Sequence, residues 1–391
     1  MKIIKTDGHV KICIFTSEHR VLDARIFYRE AVSLANYGYE VHVFGDHPKC
    51  EIIKNVYIHA IPRSISRINR KIFVSLKYFI KVVKQKADLY HFHDPALVPC
   101  GIALRLIGKN VIMDVHEDFK ATFIHKRNYA PKWFLITIAF LFDCFEKFSA
   151  KIFSGVVTVS EEIQRKFKGA NIVLVRNFPI TSEYNNIRRE DKKELKIVYT
   201  GTITQARGCW EILDAFKKFI KQYPCGKLYI VGNFESEQLE IEFKSKASEI
   251  GSVKILGLLS WEETKNIQEN SDIGLLISHF RNHTQERVYP VKLFEYMSAG
   301  IPVIFSKKIF LMDLLRKYCF GKMVDGKNPL DIANAMLELA VDPNKRLTLG
   351  KAGRDCVEKE FSWKKEFNKL NSLYEKILSE KENNPFGSRI I

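Results

Sequence analysis

The chain has 391 residues, too many for one ordinary core and enough for two domains of typical size. Hydrophobic residues make up 46% and charged residues 27%, with only 20 Gly and 12 Pro, which excludes disordered, collagen-like and low-complexity classes. Lys and Arg number 62 against 45 Asp and Glu, a net charge of +17 and a pI near 9.3, so the surface should attract polyanions: nucleic acid, anionic lipid headgroups or phosphorylated small molecules.

Charge interrupts every apolar stretch of the opening Met1-Lys2-Ile3-Ile4-Lys5, which therefore does not read as a signal peptide. Short apolar runs then alternate with longer amphipathic ones. Strands are expected over 10–16, 40–44, 88–92, 110–115 and 155–159, then over 195–200, 227–231, 253–256, 272–277 and 302–305. Helices are expected between them, over 23–37, 95–107, 208–222 and 291–299 among others. This alternation predicts parallel sheets with helices on both faces. The polar stretch leading to Glu194 divides two such series. The expected layout is an N-terminal Rossmann-like domain (1–180), a connector (181–194), a second Rossmann-like domain (195–362) and a C-terminal helix and tail (363–391) able to pack back on the first. Ligands of such sheets bind at the C-terminal strand ends, so the two domains should face each other across a ligand cleft.

The first strand runs into Thr16-Ser17-Glu18-His19-Arg20, and then Asp23 stands as a helix N-cap with Arg25 in the first turn, where it could meet a phosphate. Residues 63–86 hold eight basic residues and no acid. Ile72, Leu76, Phe79 and Val83 recur there at helical spacing, with Arg70, Lys77, Lys81 and Lys84 as a separate stripe. Such a helix suits an anionic membrane surface, and a core-packed helix with a solvated lysine face explains the same pattern. The run Trp133–Phe142 falls short of the roughly 20 residues that span a bilayer. Residues 131–145 offer either a second interfacial face or core.

His91-Phe92-His93-Asp94-Pro95 and Asp114-Val115-His116-Glu117-Asp118 are polar turns at the C-terminal ends of successive strands. Neither has the i, i+4 spacing of a helical zinc pair, and no metal is expected. His91 reads as a satisfied strand residue, and by alternation His93 points the same way. The eight cysteines are scattered without a C-x-x-C pair and read as reduced thiols of a cytoplasmic protein.

In the second half, Ile197-Val198-Tyr199-Thr200-Gly201-Thr202 leads through Arg207 and Gly208 into a helix. Backbone N–H groups at such a start favour phosphate, and Arg207 can add a bidentate contact, although a surface arginine on a plain βα turn fits the same residues. The segment is not a P-loop. Further on, Pro290 opens a helix that Gly300 and Pro302 close, and Lys292 in its first turn opposes the helix dipole unless an anion offsets it. Glu295 shares the Lys292 face one turn on.

With the His19-x-x-x-Asp23-x-Arg25-Ile26 segment, these motifs resemble, over nearly the whole chain and in order, the GT-B fold glycosyltransferases of family 4. The resemblance implies a retaining, metal-independent enzyme without a cofactor, taking a sugar from a nucleotide-sugar donor to a glycan or lipid-linked acceptor in envelope polysaccharide or lipopolysaccharide assembly. It implies that Glu295 binds the donor ribose and Arg207 the diphosphate, with Gly201, Thr202 and Lys292 beside it. His116 should lie near the reacting carbon, and Arg25, His93, Asp94 and Glu117 on the acceptor side. The first acid of the family's Glu-x7-Glu motif is replaced by Arg287, leaving Glu286 as the neighbouring carboxylate. Arginine, lysine and the backbone N–H groups suit a diphosphate leaving group, and the lack of a second placed carboxylate favours same-face attack. Two other readings stay open: a nucleotide-sugar epimerase or hydrolase on the same fold, and a non-catalytic membrane- or polyanion-binding protein. No nucleic-acid-binding motif is present. The protein is expected in the cytoplasm, peripheral to the inner membrane face.

Overall fold

A computed structural model describes residues 9–62, 67–116, 131–185, 194–279, 289–307 and 309–383. The chain forms two compact units, one of residues 1–177 with 363–391 and the other of 178–362.

The first unit contains β1 (Lys11–Arg20), α1 (Val32–Tyr37), β2 (Glu40–Asp46), β3 (Glu51–Ile53), β4 (Val56–Ala60), α2 (Arg67–Val82), β5 (Leu89–Phe92), α3 (Val98–Leu106), β6 (Asn110–Val115), α4 (Lys132–Ile152), β7 (Gly155–Thr158), α5 (Glu161–Lys166) and β8 (Ile172–Leu174). Its sheet runs β3-β4-β2-β1-β5-β6-β7-β8, parallel except for the β3–β4 edge. The strand order reverses between β1 and β5, so the crevice beyond their C-terminal ends is the natural ligand position of this unit. The central strands are buried on both faces, as a helix-covered parallel sheet requires.

The helix expected over 23–37 is two pieces. Asp23 caps the first by accepting from the N–H groups of Arg25 (2.7 Å) and Ile26 (3.2 Å). Residues Ala24–Ala31 then wind as a π-helix before α1 begins. The wider i→i+5 turn brings residues five apart nearly into line, and Arg25 and Glu30 both face the interior. In α2 the inward face is Val74, Tyr78 and Val82, so the Ile72–Leu76–Phe79–Val83 stripe, read as either membrane-facing or core, is not the main core face. Leu76 is exposed, Phe79 and Val83 are half-buried, and the Ile72 side chain lies outside the described residues.

The second unit contains β9 (Leu195–Thr200), α6 (Cys209–Gln222), β10 (Gly226–Val231), α7 (Glu237–Ile250), β11 (Val253–Gly257), α8 (Trp261–Glu269), β12 (Ile273–Leu276), α9 (Val291–Ser298), β13 (Val303–Ser306), α10 (Ile309–Tyr318), β14 (Gly321–Val324), α11 (Pro329–Val341) and α12 (Pro343–Glu360). Its parallel sheet runs β11-β10-β9-β12-β13-β14, a Rossmann order that reverses between β9 and β12. The stretch 178–185 packs on this unit: Phe178 sits against Phe294 and Phe361, and Tyr184 is buried. Helix starts are capped by Ser236, Ser260 and Asn328, Ser260 in a capping box with Glu263.

The last helix, α13 (Trp363–Asn383), belongs to the first unit. Trp363 donates to Ser33 Oγ, Tyr37 to Glu375, and the Arg176 N–H to Glu366. Leu373 and Ile377 cover Gly155, where a Cβ would crowd both.

Candidate active site

In the second unit, three segments converge beyond the C-terminal end of β9. Gly201 follows the strand at φ +105° and donates its N–H to Val231 O (2.7 Å). A Cβ there would collide with Lys292 Nζ, so the lysine occupies space that only glycine leaves. Lys292 Nζ also lies 4.9 Å from the Tyr199 ring centroid. Tyr199 OH (2.9 Å) and Arg207 Nη1 (3.1 Å) both donate to Thr202 O, which fixes the loop between them. The Thr204 hydroxyl accepts from Arg207 N–H, and Gly208 at φ +65° passes the chain into α6. On the facing side of the reversal, His279 N–H donates to Ala206 O (2.8 Å), stapling the loop after β12 to the loop after β9. Tyr296 OH accepts from Thr200 N–H (2.9 Å), tying α9 to the same strand end.

The electrostatics favour an anion. Burial pushes the Lys292 ammonium down to about 7, with Arg207 adding to the effect and Glu295 opposing it. A lysine in the first turn of α9 also meets the positive end of the helix dipole. Arg207 and Thr202 are exposed, and Glu295 is half-buried. Gly201, Thr202, Arg207, Lys292 and Glu295 thus gather at one strand end. Glu286 and Arg287 lie outside the described residues.

In the first unit, the polar turns after β1, β5 and β6 also meet at the strand reversal, but most of the side chains face inward. Asp94, 2% exposed, accepts from the Ser17 N–H (2.5 Å), the Thr16 hydroxyl (2.7 Å) and the Glu18 N–H (3.1 Å), and so anchors the turn after β1. Arg25 is also 2% exposed. It donates from Nε (3.2 Å) and Nη2 (2.8 Å) to Asp114 and from Nη1 to Val175 O (3.1 Å), with Glu30 3.0 Å from Nε. This corrects the expectation of a phosphate-facing Arg25: its guanidinium is consumed by two buried carboxylates. His93 is buried too, with Nδ1 3.0 Å from His116 Nε2. Of this group His116 keeps partial exposure, braced by His93 and by Asp114 Oδ1 at 3.3 Å. Glu117 lies outside the described residues.

Burial lowers His91 to about 4 and His93 well below its ordinary value. It raises Glu30 strongly, against the pull of Arg25. Burial alone would also raise Asp114, but Arg25 and His116 outweigh it and hold the carboxyl well below the usual range. Sequence reasoning missed Tyr199, His279 and Glu30. Tyr199 sits one residue before the strand end, and Glu30 becomes visible only if the helix is read with a π repeat.

This architecture is two Rossmann-like units, each with polar residues gathered at the strand reversal. Two family descriptions match the chain: "Glycosyl transferases group 1" over residues 181–355 and "Glycosyltransferase Family 4" over residues 24–177. The chain belongs to the family 4 glycosyltransferases and has the GT-B fold.

CapM of Staphylococcus aureus, a capsular polysaccharide biosynthesis glycosyltransferase, is 22% identical over 373 residues, 88% of this chain and 91% of CapM. Spore coat protein SA of Bacillus subtilis is 26% identical over 209 residues, 50% of this chain, and the match spans about half (54%) of that relative. Anabaena HepE in complex with UDP and glucose superposes with a TM-score of 0.68 at 13% identity, covering 94% of this chain and all (100%) of HepE.

Proposed function

We propose that the chain transfers a sugar from a nucleoside-diphosphate sugar to a glycan or lipid-linked acceptor in cell-envelope polysaccharide synthesis, with retention of anomeric configuration. The observation that carries this reading is the Lys292 ammonium seated over Gly201 at the end of β9, with Arg207 in the same loop. As the glycosyl bond breaks, charge builds on the departing diphosphate oxygen. Preorganised donors aimed there supply the largest share of catalysis, and an ammonium partly stripped of water acts strongly. Arg207 and Lys292 take that task with the N–H groups at Gly201–Thr202 and the first turn of α9, and no metal is required of the donor site. Glu295 accepts from the ribose. HepE, seen with UDP and glucose, and CapM, named for capsular polysaccharide, support the donor and pathway classes. His116, the least buried of the first-unit cluster, serves the sugar side. Attack comes from the face the leaving group vacates, the diphosphate helping to take the acceptor proton.

The acceptor is carried at an anionic membrane surface, which the first unit meets through α4. This helix exposes Trp133 (69%), Ile136 (49%), Leu141 (62%) and Phe148 (66%). Its acids Asp143 and Glu146 are buried and paired with Lys147 and Lys166. An apolar stripe without exposed acid, flanked by lysines, suits the headgroup boundary of anionic lipid. No helix among the described residues is long and apolar enough to cross a membrane.

NMR of the purified product tests the chemistry: retention is expected with no added Mg2+ or Mn2+, and an inverted centre would refute same-face attack. Arg207 is exposed, so Arg207→Ala should lose transfer at an unchanged melting temperature. Sugar released equally with and without acceptor would mark a hydrolase instead.

A further inference from the structure

Among the described residues, one group of side chains has the chemistry of a metal shell: Glu30 from the π-helical turn, His91 and His93 from β5 and its end, and Asp114 from β6. Each is at most 3% exposed, and one donor atom from each lies within 4.8 Å of all the others. Glu30 Oε2 and the Nε2 atoms of His91 and His93 have no hydrogen-bond partner, and Glu30 Oε1 and Asp114 Oδ1 have only their ion pairs with Arg25 (3.0 Å) and His116 (3.3 Å). A buried polar atom left unpaired is costly, and three in one place call for a missing partner.

Two partners are physically possible, a shared proton or a cation, and the distances from the two imidazoles favour the cation. A proton shared between His93 and Glu30 would draw nitrogen and oxygen to about 2.8 Å. Instead His93 Nε2 is 3.4 Å from Glu30 Oε2, and His91 Nε2 is 3.8 Å from Asp114 Oδ2. Ligands on one ion at bond lengths of 2.0–2.2 Å in a tetrahedron stand roughly 3.3–3.6 Å apart. These two imidazole-to-carboxylate spacings are too long for hydrogen bonds and near that of ligands on a shared ion.

The surroundings match as well. His91 Nδ1 is held by Tyr374 OH at 2.7 Å, which turns Nε2 inward, the arrangement by which an outer partner fixes a ligating histidine. Arg25 braces both carboxylates from behind. We propose that Glu30, His91, His93 and Asp114 bind one divalent cation, Zn2+ by preference, as a structural ion locking the π-helical turn to β5 and β6 and holding His116 in place. Two imidazoles and two carboxylates suit Zn2+, and the buried position leaves no open coordination site for substrate. This ion is separate from the donor site of the second unit, and the proposal stands whatever sugar is transferred.

The test is elemental analysis of the full chain purified without a histidine tag. Close to one equivalent of zinc, or of another divalent transition ion, is expected, and the melting temperature should fall on chelation and recover with Zn2+. A chain with under a tenth of an equivalent, indifferent to chelator and to added Zn2+, Mn2+ or Fe2+, overturns the proposal and leaves a shared proton. Location is read on the wild-type chain loaded with Co2+: tetrahedral visible bands without thiolate charge transfer are expected, and a thiolate band would place the metal on a cysteine and refute the site. His93→Gln, where it folds, should lose the metal; full retention refutes the site equally.

Discussion

Lys292 carries the sharpest consequence at the scale of a single residue. Its free-state pKa of about 7 lies below the ordinary lysine value of 10.5. Folding therefore disfavours the charged form, and between those values the unfolded chain binds more protons, so this group adds stability as pH rises through that window. Diphosphate binding has the opposite preference, because it stabilises the ammonium and raises the pKa of the complex. Affinity should be flat below about pH 7 and fall above it, by up to tenfold per pH unit until the bound-state pKa is reached. Calorimetry with whichever of UDP, GDP or ADP binds would show this slope, and Lys292→Met should bind weakly without it. A wild-type profile level from pH 6 to 9 would remove Lys292 from the diphosphate. Its position was legible because a lysine in a helix's first turn is electrostatically odd. Arg25 was not: the same oddity there is answered inside the protein by Asp114 from β6, a partner 89 residues away that no local pattern reveals.

At the scale of elements, strands with continuous apolar runs, such as β6 and β9, were readable to the residue, because burial on both faces leaves one signature. The short strands β3, β4, β8 and β14 were not, since their sequences are brief and their side chains partly exposed. The π-helical turn was likewise read as ordinary helix, which hid Glu30. Helix faces show the same limit: α2 and α4 both looked amphipathic, yet which apolar side turns inward is set by tertiary neighbours. For α4 the outcome is an apolar exposed stripe, and this argues a prediction. Sedimentation with vesicles should show binding to phosphatidylglycerol-rich bilayers, little to pure phosphatidylcholine, and loss with salt. Trp133→Ser with Phe148→Ser should weaken binding at least tenfold at unchanged melting temperature, since both rings are more than half exposed. Undiminished binding by this double variant would exclude α4 as the docking face.

At the scale of the whole molecule, charge and chain path are both unevenly divided. Residues 1–177 with 363–391 carry 34 basic and 20 acidic residues, +14, whereas 178–362 carry 28 and 25, +3. The basic surplus that composition announced thus belongs to the unit with the exposed α4 stripe, not to the unit with the Gly201–Gly208 loop. The chain leaves the first unit at Asn177 and completes it only with α13. That helix buries Leu370, Leu373, Tyr374, Ile377 and Leu378. At about 2 kcal/mol for each buried large side chain, they contribute on the order of 10 kcal/mol, comparable to the net stability of a whole domain. Ending the chain at Ser362 should therefore unfold the first unit while the second keeps its own sheet and core. Scanning calorimetry should show one transition lost or lowered by tens of degrees. The surviving transition should still rise when a nucleoside diphosphate is added, because the residues proposed to hold it, Gly201, Thr202, Arg207, Lys292 and Glu295, all belong to the second unit. Tyr374→Phe is the milder form of the same experiment: it removes only the hydroxyl that orients His91, and should cost about 1–3 kcal/mol in the first unit's transition alone. If the truncated chain keeps both transitions at their full-length temperatures, the last helix is not an integral part of the first unit.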